Sequence, residues 1–114
     1  MKTIKFVVNG QNIELDTGVN TDSLVPGTED YVNAEFRFSP DWRSYTKIAA
    51  FYSMLGREYR PSIIVHDVVT DTYSCDIPVE ALAKRRFKIQ IQGKRGDTKL
   101  ITNKFTVSQN GGTK

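Results

Sequence analysis

Phe87-Lys88-Ile89-Gln90-Ile91-Gln92 is the cleanest two-residue alternation in the chain, with Phe87, Ile89 and Ile91 on one face and Lys88, Gln90 and Gln92 on the other. That is the signature of a β-strand with one face on a core and the other in water. Gly93-Lys94-Arg95-Gly96-Asp97 follows and reads as a glycine-rich hairpin loop, with Lys99–Gln109 as the closing strand. Within it Ile101, Phe105 and Val107 are in phase, and Asn103 falls among them. An inward asparagine requires partners, so a bulge or a satisfied hydrogen bond is expected there.

The pattern repeats towards the N-terminus. Ile4, Phe6 and Val8 alternate, Asn9-Gly10 supplies a hairpin signal, and Ile13 and Leu15 continue in phase beyond it. The stretch from Gly18 to Asp30 is dense in turn residues, and a loop this long in a small domain is often functional. Its apolar pair, Leu24 and Val25, reads as a partner-binding or core-pinning element. Tyr31–Phe38 returns to alternation, Ser39-Pro40-Asp41 breaks it, and Trp42 is placed to plug one end of a core.

Thr46–Ser53 is apolar on both faces and reads as a central strand, closed by the turn Met54-Leu55-Gly56-Arg57. Tyr59–Val69 reads as one longer β-branched strand interrupted by Pro61, and Thr72–Ile77 as another. Pro78–Lys84 is the one helical segment, two turns at most. About eight strands and one short helical connector, with turn signals every dozen residues or so, indicate an all-β antiparallel sandwich, Ig-like or jelly-roll-like. Residues 1–109 form the single expected domain, and residues 110–114 a flexible C-terminal tail.

Composition agrees. The 114 residues are 39% hydrophobic and 25% charged, ordinary for one globular domain. No apolar run is long enough to cross a bilayer, and the N-terminus reads as a strand rather than a signal peptide. Sixteen basic against thirteen acidic residues give a net charge of +3, too balanced to indicate nucleic acid.

Catalytic chemistry is sparse. Cys75 is the one cysteine and lies in an alternating run, where it reads as a small buried apolar residue. His66 is the one histidine and reads as a satisfied, partly buried strand residue. Together they are too few for a zinc site. The turn acids Glu29, Asp30, Asp67 and Asp71 are expected to bond their own backbone, without the spacing of a calcium loop. No phosphate-binding glycine motif is present, so no cofactor and no enzymatic role are expected.

Two basic clusters remain, Lys84-Arg85-Arg86 and Lys94-Arg95 with Lys99, about 25 Å apart along the Phe87–Gln92 strand. Lys84, Arg85, Arg86, Lys94 and Arg95, with Leu24 and Val25, are the candidate partner-binding residues. Arg95-Gly96-Asp97 spells an adhesive tripeptide, but Gly-Asp is also ordinary hairpin chemistry.

The series Phe36-Arg37-Phe38-Ser39-Pro40-Asp41-Trp42, Thr46–Phe51, Cys75–Leu82, Phe87–Gly93 and Thr102-Asn103-Lys104 resembles a small β-rich domain encoded by phages and prophages of Gram-positive bacteria. That domain occurs alone or at the N-terminus of tail-fibre, baseplate and head-fibre proteins. The resemblance spans about Tyr31 to Val107 and supplies no catalytic residues. It implies a virion-located structural or accessory protein, made in the bacterial cytoplasm, that decorates or attaches to a capsid, tail or fibre component by protein binding. Such a part would self-associate or occupy symmetry axes. The alternatives are a non-virion phage protein that blocks a host defence protein, and a glycan-binding module using Tyr31, Tyr45, Tyr59 and Tyr73.

Overall fold

The computed structural model describes residues 2–16 and 32–108. The expected loop at Gly18–Asp30 and the tail at residues 110–114 lie outside them. Among the described residues, ten strands form two sheets packed face to face. Sheet A has the order β2–β1–β3–β7–β6, from β1 (Lys2–Asn9), β2 (Asn12–Leu15), β3 (Val32–Phe38), β6 (Val65–Asp67) and β7 (Thr72–Asp76). Sheet B has the order β10–β8–β4–β5, from β4 (Thr46–Tyr52), β5 (Ser62–Ile63), β8 (Arg86–Arg95) and β10 (Phe105–Ser108). Strand β9 (Thr98–Ile101) also pairs with β8. The all-β sandwich expected from the alternation is the fold.

The core is the inward set of each strand. Ile4, Phe6, Val8, Ile13, Ala34, Phe36 and Cys75 come from sheet A, and Ala49, Phe51, Phe87, Ile89, Ile91 and Val107 from sheet B. Apolar burial of this kind is the main driving force of the fold. Phe6 stacks on Phe36 at 5.5 Å and meets Phe105 edge-on at 6.2 Å, a contact that joins the two sheets.

Trp42 closes one end, as its place after the proline break suggested. The turn Pro40–Trp42 carries it into the core, where it is fully buried. Its Nε1 donates to the Gly10 carbonyl at 2.8 Å, so the indole clasps the β1–β2 turn. Ser39 adds to the clasp: its N–H donates to the Val8 carbonyl and its hydroxyl accepts from the Gly10 N–H. Across the gap the indole lies against Gly93 of sheet B, where a Cβ would come 2.7 Å from Trp42 Cζ3. Gly93 is therefore a packing glycine inside β8, not the loop residue that the glycine-rich reading suggested. Only Gly96-Asp97 forms the turn, since Arg95 already pairs with Thr98.

Asn103 is exposed rather than inward, but its hydrogen bonds are satisfied as expected. Its Oδ1 accepts from the Ile13 N–H at 2.9 Å and its own N–H donates to the Gln11 carbonyl at 3.0 Å. Thr102 takes the place of a ladder partner beside it, its hydroxyl accepting from the Ile91 N–H and its N–H donating to the Ile91 carbonyl, both at 3.0 Å. The predicted closing strand is consequently two pieces, β9 and β10, laid end to end along β8.

Three further expectations change. The run Tyr59–Val69 is not one strand: β5 pairs with β4 in sheet B, and β6 pairs with β7 in sheet A. Buried Ile64 is the corner between them, its N–H donating to the Lys47 carbonyl. These two splits turn eight expected strands into ten. The sandwich is not wholly antiparallel, because β1 and β3 pair in parallel from Lys2↔Val32 to Val8↔Phe38. A parallel pair needs a long connection, and residues 10–31 lie between the two strands. The helical connector is one turn, α1 (Val79–Leu82), with Pro78 capping it rather than beginning it.

The Trp42–Gly93 contact is testable by Gly93→Ala. Because the added methyl meets the indole and the Tyr45 Cβ at once, it should cost about 1–3 kcal/mol in urea unfolding, and an unchanged midpoint would show that the indole has room to move.

Candidate functional site

The basic residues read from the sequence do not form one site. Lys84, Arg85 and Arg86 stand between α1 and the start of β8, whereas Lys94 and Arg95 end the same strand. Arg95 is spread over the Tyr45 ring at 4.8 Å, and its Arg95-Gly96-Asp97 tripeptide lies on the exposed β8–β9 turn. Leu24 and Val25 lie outside the described residues.

The first cluster has a neighbour that sequence reading passed over as a plain turn. After β4, the Ser53 N–H donates to the Arg57 carbonyl at 2.8 Å. The Ser53 hydroxyl accepts from the N–H groups of Arg57 and Leu55, and Gly56 takes a φ of +94°. This tight turn holds Leu55 98% exposed, with Met54 also largely in solvent. Met54, Leu55 and half-buried Tyr59 face Lys84, Arg85 and Arg86 across a groove of about 430 Å³. Arg57, Arg60, Glu58 and Glu80 line the adjoining surface. On the α1 side, buried Leu82 anchors the chain that presents the basic run.

The result is an apolar knob inside a collar of arginines. Arginine is enriched in protein interfaces because its guanidinium forks onto carboxylates and its planar face covers apolar surface. The sequence signal was present: Met-Leu before glycine is unusual where turn chemistry favours small polar residues.

The other end of the sandwich carries the remaining chemistry. Lys47 is buried, its Nζ donating to the Tyr45 carbonyl at 2.9 Å and lying 4.9 Å from the Tyr73 ring and 5.3 Å from Phe38. Desolvation lowers its pKa from the ordinary 10.5, and the aromatic faces supply the electrostatic compensation for the buried charge. Tyr73 also stacks on His66 at 4.1 Å.

His66 has an acidic neighbour, contrary to the expectation that turn acids serve only their own backbone. Its Nε2 lies 2.8 Å from Asp71 Oδ1, and Asp71 sits at a φ of +55°. Asp67 does follow the expectation, accepting from the Val69 and Thr70 N–H groups. Cys75 is buried as expected, and desolvation with nearby Asp76 pushes its thiol up to about 12. Tyr45, Tyr59 and Tyr73 are partly buried against the core, and Tyr31 lies outside the described residues. Among the described residues, no three His, Cys, Asp or Glu side chains gather to hold a metal ion. No helix among the described residues is long and apolar enough to cross a membrane.

Two measurements check these environments. A thiol reagent at neutral pH should label Cys75 in the native protein at least about a hundredfold more slowly than in urea. Because the folded pKa of Lys47 lies below its unfolded value, the unfolded chain holds more protons in that window, so stability should rise with pH towards 10.5. Lys47→Met removes that slope, and the stability of wild type relative to the variant should therefore grow with pH; parallel curves would contradict the assignment.

The chain matches no family model and no curated protein. Among solved structures it is similar to the N-terminal domain of phage TP901-1 ORF48, with a TM-score of 0.60 and 9% identity, over 97% of this chain and 100% of that one. At that identity the likeness is one of fold, the two-sheet sandwich described above.

Proposed function

We propose that this chain is a phage structural or accessory protein that acts by binding another particle protein, without catalysis, through the Leu55 turn and its arginine collar. The observation that carries the reading is the exposed Leu55 held on a hydrogen-bonded turn opposite Lys84-Arg85-Arg86. A leucine in solvent gains free energy only when a partner covers it, and a rigid turn loses little entropy when that happens. The collar favours a partner with carboxylates around an apolar pocket. The fold likeness to a domain of a phage protein supports the particle context, and so does the motif series that resembles virion-associated domains. On this reading the protein resides in the virion, and the choice among capsid, tail and baseplate belongs to the partner.

Mass spectrometry of purified particles tests the context: the chain should be present in fixed proportion to the major structural proteins, and its absence from intact particles would defeat the proposal. The surface is tested by Leu55→Asp and by the pair Arg85→Glu, Arg86→Glu. Both sets are exposed, so folding should change by less than about 0.5 kcal/mol while incorporation falls at least tenfold, roughly the effect of losing an interface hot spot. Unchanged incorporation of both variants would move the docking surface elsewhere.

A further inference from the structure

The two outer faces of the sandwich carry opposite charge. On sheet A the outward positions place Glu14, Asp16, Glu35, Asp67 and Asp76 against only Lys5 and Arg37. One ion pair, Arg37 with Asp16 at 2.9 Å, is made on that face among the described residues. On sheet B the outward positions of β4, β5, β8, β9 and β10 carry no carboxylate. They present Arg86, Lys88, Lys94 and Lys99. Lys104 joins them by lying 4.1 Å over the outward Tyr52 ring, and the one acid at this edge is Glu58, bridged to Tyr52, among the described residues. None of these four lysines is ion-paired among the described residues.

Lys94 and Lys99 are direct cross-strand partners. Like charges so placed destabilise the pair in the isolated molecule, and an opposing carboxylate removes that cost. Beside them Ile63, Ile48 and Ile101 lie in one register row that polar Gln92 interrupts, with Ile63 71% exposed. Ile48, Ile101, Lys94 and Lys99 border a groove of about 350 Å³. Sheet A offers matching apolar positions in Val7 and exposed Val65.

We infer that copies of this chain stack face to face, the lysine face of sheet B on one copy against the carboxylate face of sheet A on the next. Both faces exist on every copy, and each is complementary to the other rather than to itself. The contact is therefore heterologous and continues into a ring or an open stack. The long dimensions of 45 and 32 Å leave room for the roughly 800 Å² per partner that a stable contact needs. This contact is separate from the Leu55 turn and does not depend on it.

Sedimentation velocity of the full chain, over a concentration series at about 20 mM and about 500 mM salt, tests the inference. Species larger than the monomer are expected at low salt, with association at least tenfold weaker at high salt. The double variant Lys94→Glu, Lys99→Glu should be monomeric. Mixed with a Glu14→Lys, Glu35→Lys variant, it should form hetero-complexes that neither makes alone. Circular dichroism confirms folding of each, and Leu55→Asp should leave association unchanged. A monomer under all conditions, association indifferent to salt and to these reversals, or failure of the folded pair to complement would overturn the inference. Retention on heparin by a monomeric wild type would assign the lysine face to a polyanion instead.

Discussion

Trp42 is the side chain on which both halves of the sandwich converge. Two sheets packed face to face leave an open end, and a void there forfeits dispersion contacts on every residue that lines it. The indole fills this end and also holds the β1–β2 turn by its hydrogen bond to the Gly10 carbonyl. Its ring lies against Phe38 of sheet A and requires a glycine at position 93 of sheet B. The adjoining edge is closed by a second clasp, Thr102 and Asn103, which bond Ile91 on one sheet and Gln11 and Ile13 on the other. The break between β9 and β10 is the local consequence: residues that serve the opposite sheet cannot also continue their own ladder.

With the ends sealed differently, the molecule acquires different chemistry at each. At the Trp42 end, cations are parked on aromatic faces, Lys47 over Tyr73 and Phe38 and Arg95 over Tyr45. Those charges are already compensated inside the fold. At the other end the Ser53–Arg57 turn and the α1–β8 connection leave Leu55 in water beside three consecutive basic residues. Exposed apolar surface beside basic residues is what favours the second end in the proposed reading. The same reasoning separates the two sheet faces, since the pairing registers gather carboxylates on one and lysines on the other.

The proposed surfaces were partly legible. Lys84, Arg85, Arg86 and Lys94 could be selected as exposed basic residues from alternation alone, but the company they keep could not. Leu55 was visible only as part of a turn, because its meaning comes from α1 and β8, some thirty residues away in sequence. The acidic face of sheet A was invisible for the same reason: its carboxylates come from β2, β3, β6 and β7, and no window of sequence contains them together. His66 and Asp71 are close in sequence, yet their pairing depends on a positive φ at Asp71 that the residue type permits but does not require.

Alternation by itself determined most of the strands and the burial of Ile4, Phe6, Ile89 and Ile91. These follow from local geometry, in which every second side chain points the same way. The tertiary structure alone decided the parallel pairing of β1 with β3, the division of Tyr59–Val69 between two sheets, and the role of Gly93. Each depends on which distant strand arrives alongside: a strand's two faces are written in its own residues, whereas its hydrogen-bonding edges carry the same backbone groups whatever the sequence, and only packing selects their partner.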